Sequence, residues 1–210
     1  MRRAAAADGD ADVEVLELTL TDAIRLAFAD DVDHEIARLN WENARIDNMI
    51  ARASGPVSPY EQLQRDLQER RAENNYVSSR KSLVMNVVQE YFDLQQAATQ
   101  VEVARRQADI AARELAVVRE MVRIGGRHPQ EELREQNRVT SAQMSAETAA
   151  RTLRNREEAL RHRLGLPDSV QLILVDEPEV IPFDWTLEET LAYALEHNFS
   201  VWEREMNVRI

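Results

Sequence analysis

The residues with the clearest capacity for chemistry are four histidines, which could hold a metal ion or move protons. They are His34, His128, His162 and His197, and they stand far apart in the chain. None lies in a His-Glu-x-x-His zinc motif or in a Glu-x-x-His pair of the di-iron type. Glu158 and His162 share a helix face, but a solvated pair is the simpler interpretation. The chain has no cysteine, so thiolate sites and disulfides are excluded. The sequence predicts no catalytic, cofactor-binding or metal-binding residue, and no enzyme.

A second group of residues could bind a partner protein. Glycine past the end of one helix and proline at the start of the next predict a sharp reversal at residues 125–129, and Gly125 and Gly126 permit the positive φ values that such a turn needs. Basic side chains there would form a small knob on an acidic protein and could steer an acidic partner. The alternative is that these cations only complement the helix dipole. The predicted partner-binding residues are Arg123, Gly125, Gly126, Arg127, His128 and Pro129.

The elements that must position this tip are two long helices. From Tyr60 the chain has no Gly or Pro until Gly125, which at 1.5 Å per residue permits one helix of roughly 95 Å. Its apolar residues recur at steps of four and three, which is typical of a coiled-coil seam. The predicted seam is Val84, Val88, Tyr91, Leu94, Ala98, Val101, Ala104, Ala108, Ala111, Leu115, Val118 and Val122. A returning helix over residues 130–164 carries Val139, Ala142, Ala146, Ala149, Leu153 and Leu160 at similar spacing.

Shorter elements precede and follow this hairpin. Residues 13–18 form a β-prone run, after which Thr19 caps a helix. The acidic cluster at residues 30–33 supplies a new N-cap for a second helix to about Ser54, whose apolar positions are Ile36, Leu39, Ala44, Ile46 and Ile50. Residues 170–175 predict a strand that could pair with residues 13–18. The predicted fold is mainly all-α, namely a long antiparallel helical hairpin with shorter stacked helices and a small β pairing at one end.

Composition narrows the class of partner. The formal net charge of -12 repels phosphate backbones, so nucleic acid is discounted. No apolar run approaches the length that spans a bilayer, and no intact signal peptide precedes the fold, so a membrane is expected to be met only indirectly by this segment. Alanine at many seam positions leaves little apolar area buried between two helices. We therefore expect the chain to form a homo-oligomer.

The chain also contains an internal repeat. The segment beginning Trp185-Thr186-Leu187 resembles the one beginning Leu18-Thr19-Leu20, and the offset of 167 residues persists to Asn207 against Asn40. A repeat this long indicates a duplicated domain. The predicted organisation is a disordered segment at 1–12, a helical repeat at 13–182 and the truncated start of a second repeat at 183–210. Trp41, Trp185 and Trp202 fall near the repeat starts and are predicted to fill junctions between helices and strands.

Several stretches resemble the outer-membrane efflux protein family of TolC type. They are Leu18-Thr19-Leu20-Thr21-Asp22-Ala23-Ile24-Arg25-Leu26-Ala27, Ala37-Arg38-Leu39-Asn40, Val87-Val88-Gln89-Glu90-Tyr91-Phe92-Asp93-Leu94, Gln100-Val101-Glu102-Val103-Ala104-Arg105 and Leu164-Gly165-Leu166-Pro167. The resemblance implies a trimeric tunnel for solute export in the cell envelope, at the periplasm and outer membrane. It also implies a periplasmic adaptor and an inner-membrane pump as partners.

The chain departs from this family pattern in two places that bear on function. The family inserts a membrane β-hairpin between its second and third helices, whereas only residues 55–58 lie there in this chain. Tilted spanning strands need about 9–11 residues each, so this segment is too short to supply them. At the tip, apolar residues usual in the family are replaced by Arg127-His128-Pro129. The alternative function is therefore a structural or interaction protein that kept the helical hairpin without a pore.

Overall fold

A computed structural model describes residues 3–5, 14–55, 58–176 and 182–209. The described residues form six helices and a three-stranded sheet, which confirms the predicted fold class. In chain order the elements are β1 (Arg3–Ala5), β2 (Glu14–Leu18), α1 (Leu20–Asp30), α2 (Val32–Ala53), α3 (Pro59–Arg123), α4 (Pro129–Arg163), β3 (Val170–Leu174), α5 (Leu187–His197) and α6 (Phe199–Arg209). No helix among these residues is both long and apolar enough to cross a membrane.

The chain divides into two compact units. The first holds the described residues up to 27 together with residues 86–175. The second holds residues 28–85 and the described residues from 176 onward. Helix α3, predicted from the absence of Gly and Pro, is one continuous helix of 65 residues that contributes to both units.

In the first unit, the sheet closes one end of the α3–α4 hairpin. Strand β2 pairs in parallel with β3, with Leu16 opposite Leu172, which confirms the predicted pairing. Strand β1 pairs antiparallel with β2, so residues 3–5 are ordered where no strand was predicted. The rest of the predicted disordered segment 1–12, and Val13, lie outside the described residues. Leu16, Leu18, Tyr91 of α3 and Leu160 of α4 are all buried, and the Tyr91 hydroxyl donates to the Leu18 carbonyl at 3.0 Å.

The buried face of α3 is shifted by one residue from the prediction in several places. Val87 and Ala97 are buried, whereas Val88 is half-buried and Ala98 is exposed. Farther toward the N-terminus of α3, Leu83 is buried instead of Val84. Each corrected position belongs to a pair of adjacent apolar residues, so spacing alone left the choice open. Val87 lies one helical turn before the fully buried Tyr91, so these two residues share the buried face of α3.

In the second unit, α2 packs antiparallel to the first part of α3 through polar and aromatic contacts. Asn48 is buried and donates to Asp66 at 2.9 Å, and Gln62 donates to both Asn48 and Asp66. Trp41 stacks on Tyr76 with ring centroids 5.3 Å apart. Trp41 therefore packs between two helices, and the predicted helix–strand junction is wrong for this residue.

The apolar face predicted for α2 is exposed in this structure. Only His34 and Asn48 are buried in that helix. The residues left in solvent are four of those that marked the helix in the sequence, Ile36, Leu39, Ile46 and Ile50. The apolar periodicity therefore predicted the helix correctly. The face formed by these apolar residues, however, is exposed to solvent in the single chain.

Helices α5 and α6 begin 167 residues after α1 and α2, which is the offset of the sequence repeat. Their caps correspond as well. The Thr19 hydroxyl accepts from the backbone N–H of Asp22 at 3.1 Å, and the Thr186 hydroxyl accepts from that of Glu189 at 3.2 Å. Asp31 caps α2 by accepting from the N–H of His34, and Asn198 accepts from the N–H of Ser200. The sequence repeat is therefore accompanied by a repeat of local structure.

Candidate functional site

The tip of the α3–α4 hairpin, predicted as a partner-binding site, is a tight turn built from backbone hydrogen bonds. The N–H of Gly126 donates to the Met121 carbonyl at 2.8 Å, and that of Gly125 donates to the Val122 carbonyl at 3.0 Å. These two hydrogen bonds together form a Schellman motif, which needs a residue in the left-handed conformation just past the helix end. Gly125 supplies it with φ of 75°, whereas Gly126 has no positive φ, so only the first of the two glycines adopts the conformation that both permit.

His128 and Pro129 determine how the chain enters α4 after the turn. Pro129 is the first residue of α4, as predicted. His128 is the N-cap, and its ring Nδ1 accepts from the backbone N–H of Gln130 at 3.2 Å. Because Pro129 lacks an N–H and His128 satisfies that of Gln130, the first turn of α4 begins without a break. The sequence placed His128 at the tip but did not predict this capping role.

The basic side chains at the tip are paired with nearby carboxylates. Arg123 donates to Glu120 at 2.8 Å, and Arg127 lies 3.3 Å from Glu131. The hydrogen bond from Arg123 lowers the pKa of Glu120 below its ordinary value. All four side chains are substantially exposed. The expected cationic knob is therefore balanced by acidic neighbours, and partner binding at this tip stays a prediction.

Below the tip, a thin apolar seam and cross-helix ion pairs hold α3 against α4. Ala111 and Leu115 of α3 form a buried cluster with Val139 of α4, and Ala142 packs against it. Arg138 of α4 bonds Glu114 of α3 at 2.7 Å. Arg119 of α3 bonds Glu132 and Gln136 of α4. These contacts confirm the antiparallel pairing and fix which residues of the two helices stand at one level.

The structure also shows an apolar row that the sequence analysis missed. Its residues are spaced by seven and are exposed by 41 to 69%, and we call them the outer stripe: Val103, Ile110, Val117 and Ile124. The first three each precede a buried seam residue, Ala104, Ala111 and Val118, by one position. Adjacent residues lie about 100° apart round a helix, so Val103, Ile110 and Val117 lie on the flank of α3 beside the seam, and Ile124 follows directly after the helix. The heptad spacing of the outer stripe could have been recognised in the sequence. It was missed because the more regular apolar seam lies only one residue away.

The described residues contain no group of three or more His, Cys, Asp or Glu residues that could hold a metal ion. A groove of about 580 Å³ lies between α3 and α4, with the ion pair of Asp93 and Arg156 among its lining residues. Its other lining residues are Met144 and small or amide side chains such as Ala97, Ser145 and Thr148. Glu158 and His162 are both exposed.

Comparison with known proteins shows a similarity of fold. No family model and no curated protein matches the chain. A solved chain of CusC, described as changing conformation during folding and transmembrane channel formation, matches over 80% of the present chain with a TM-score of 0.64 and 17% identity. The fold is similar to that of CusC. Because the present chain spans only 49% of that CusC chain, the likeness concerns the helical fold and not the whole protein.

Proposed function

We propose that this chain is the helical, tunnel-forming part of a TolC-type outer-membrane efflux component that exports solutes. The observation that carries the proposal is the long α3–α4 hairpin in a fold similar to CusC, whose structures concern transmembrane channel formation. The exposed apolar rows on α2 and α3 support it, because each would be covered if hairpins stood side by side. The proposed location is the cell envelope, with a periplasmic adaptor and an inner-membrane pump as partners.

The repeat supports a further part of the proposal. We propose that residues 13–182 form one helical repeat and that residues 183–210 begin a second. The shared offset and shared capping of α1 with α5 and of α2 with α6 favour this division. The tip, with Arg123, Gly125, Gly126, Arg127, His128 and Pro129, is proposed as the adaptor-binding end of the hairpin.

The proposed function is tested by dye accumulation in cells. Removing the gene that encodes the chain should raise steady-state accumulation of at least one fluorescent efflux dye from a broad panel, and restoring the wild-type gene should lower it again. De-energised cells serve as the control, because a difference that persists without energy reports leakage and not efflux. Unchanged accumulation for every dye in energised cells would contradict the proposal.

A second candidate function is an interaction protein that uses the hairpin without a pore. The observation that favours it is the short connection between α2, which ends at Ala53, and α3, which begins at Pro59. Electron microscopy of the purified assembly separates the two candidates. A central opening in the particles supports the tunnel, whereas solid rods or bundles support the interaction protein.

A further inference from the structure

We infer that Glu157 and Arg161 of α4 close the outer edge of β3 and thereby prevent that edge from pairing with a strand of another copy of this chain. The inference goes beyond the proposed function and does not depend on it, because it concerns how a single chain avoids a wrong association. All the residues involved belong to the first compact unit.

The sequence of β3 favours pairing between chains. The strand and the residue after it contain no charged residue, no proline and no glycine, in the order Val170-Gln171-Leu172-Ile173-Leu174-Val175. Segments of about six residues with this composition stack readily into sheets with identical segments when an edge is open. Strand β3 ends the strand order β1-β2-β3, so among the described residues no further strand covers its outer edge. Ile173 and Val175 are also 48% and 53% exposed.

The pairing of β3 with β2 determines which backbone groups point to the outer edge. The N–H of Val175 donates to the Leu18 carbonyl at 3.3 Å, so Val175 directs its N–H toward β2. Successive residues of a strand present their N–H and C=O groups to opposite sides in the ladder. Val170 and Leu172 therefore direct their backbone groups away from β2, to the side on which an added strand would bind.

Two side chains from the last turns of α4 bind these outward backbone groups. The Arg161 guanidinium donates to the Val170 carbonyl at 2.9 Å, and a carboxylate oxygen of Glu157 accepts from the N–H of Leu172 at 3.3 Å. Arg161 also donates to the carbonyl of Asp168, just before the strand, at 2.9 Å. The charged groups of Glu157 and Arg161 lie 3.9 Å apart, and their side chains are only 20% and 14% exposed.

These contacts oppose strand addition in two ways. They occupy the acceptor of Val170 and the donor of Leu172, which an incoming strand would need for its own hydrogen bonds. An incoming strand would also have to displace two mostly buried charged side chains. A charge that loses its partners at such a site costs more free energy than one backbone hydrogen bond contributes. Pairing with a second copy is therefore unfavourable while Glu157 and Arg161 stay in place.

Intermolecular β-structure, measured by thioflavin T fluorescence and infrared spectroscopy, tests the inference. The double variant Glu157→Leu with Arg161→Leu leaves the outward groups of β3 without these partners, and we expect it to form severalfold more intermolecular sheet than the wild type at the same concentration. Glu147→Leu with Arg151→Leu is the matched control. It removes an exposed pair of the same residue types and spacing in the same helix and adds the same two leucines, so it should behave like the wild type.

Hydrogen exchange of single backbone amides provides a second measurement that needs no association. In the single variant Glu157→Leu, the N–H of Leu172 should exchange about tenfold faster, because it loses a hydrogen bond to a charged acceptor. The N–H of Val175 should exchange as in the wild type, because its bond to Leu18 is kept. Glu157→Gln retains an acceptor oxygen at the same place, so this variant should keep most of the protection at Leu172.

Two results would overturn the inference. The first is a helical double variant that forms no more intermolecular sheet than its control. The second is an equal loss of protection at Leu172 and Val175 in Glu157→Leu, which would show that Glu157 supports the sheet as a whole and does not cover its edge. If the double variant does not fold, the exchange rates of the single variant decide between the two roles.

Discussion

At the residue scale, Tyr91 connects the sheet to the hairpin. Its side chain is fully buried, its hydroxyl donates to the Leu18 carbonyl at 3.0 Å, and its ring meets Phe92 edge to face. Leu18 is the last residue of β2, so the bond ties the strand end to the middle of α3. The sequence predicted that Tyr91 packs in the seam of α3. The structure shows in addition that its hydroxyl forms the hydrogen bond that anchors β2.

Replacing Tyr91 by Phe should lower the free energy of unfolding by about 1 kcal/mol, because the hydroxyl bond is lost while the ring stays packed. Urea unfolding followed by circular dichroism measures the change. Tyr60→Phe is the matched control, since Tyr60 is 59% exposed, and it should change the free energy by less than about 0.5 kcal/mol. Equal effects at the two positions would contradict the anchoring role.

Asp66 makes the packing of α2 on α3 sensitive to acid. Burial acts to raise the pKa of Asp66, but hydrogen bonds from Asn48, Arg52 and Gln62 outweigh it and hold the pKa below its ordinary value. A carboxyl with a lowered folded pKa stabilises the fold above its unfolded pKa of about 3.9. That contribution is lost as pH falls through the folded value.

Asp66→Asn should therefore destabilise the protein near pH 7 and have a much smaller effect near pH 3. Denaturant midpoints of the variant and the wild type, compared at both pH values, measure this difference. The comparison of the two proteins near pH 3 serves as the internal control, because any general destabilisation by acid acts on the variant and the wild type alike. A difference that is the same at both pH values would show that the bonds of Asp66 do not depend on its charge.

At the scale of elements, the reversal between α3 and α4 depends on Gly125 and not on Gly126. A Cβ added at Gly125 would meet no atom within 4 Å, so the cost of Gly125→Ala is the left-handed backbone alone. That cost is about 1–2 kcal/mol. Gly126→Ala is the control and should cost less than Gly125→Ala, because its backbone needs no positive φ. Thermal unfolding of both variants measures the contrast, and equal losses would contradict the turn assignment.

The tip is also where adaptor binding is proposed. Arg127→Glu would place a carboxylate beside Glu131, so we expect weaker binding of the adaptor with nearly unchanged helicity and melting temperature. Arg151→Glu is the matched control, because it breaks a similar exposed pair of residues four apart, with Glu147, in the same helix α4. Calorimetric titration with the purified adaptor measures both. If the two variants bind equally well, the adaptor contacts the sides of the hairpin and not its tip.

The long helices, their caps and the strand pairing were predictable because each depends on local chemistry. The absence of Gly and Pro predicted α3, and Thr19 and the acidic cluster at residues 30–33 predicted helix starts that the structure confirms, with Asp31 as the capping residue of that cluster. The choice between Val87 and Val88 was not predictable, because it depends on where the distant Leu18 meets Tyr91. The ion pair of Arg127 was not predictable either, because it depends on the side chain of Glu131, one turn into α4, being directed back toward the tip.

For the whole molecule, the main consequence is uncovered apolar surface. Ile36, Leu39, Ile46 and Ile50 on α2 and the outer stripe on α3 are exposed in the single chain. The buried seam of α3 and α4 is rich in alanine, so it contributes little apolar area per residue. The present chain covers only 49% of the solved CusC chain with a similar fold, and we propose that further hairpins cover these rows in the assembled protein.

The measurement that tests this claim most directly is sedimentation equilibrium of the purified chain, with circular dichroism on the same samples. The account predicts a reversible oligomer at concentrations on the order of tens of micromolar, with a mass that is a small whole multiple of one chain and with helicity retained on dilution. A fully helical, stable monomer throughout that range would contradict it, because the exposed apolar rows would then need no partner copy.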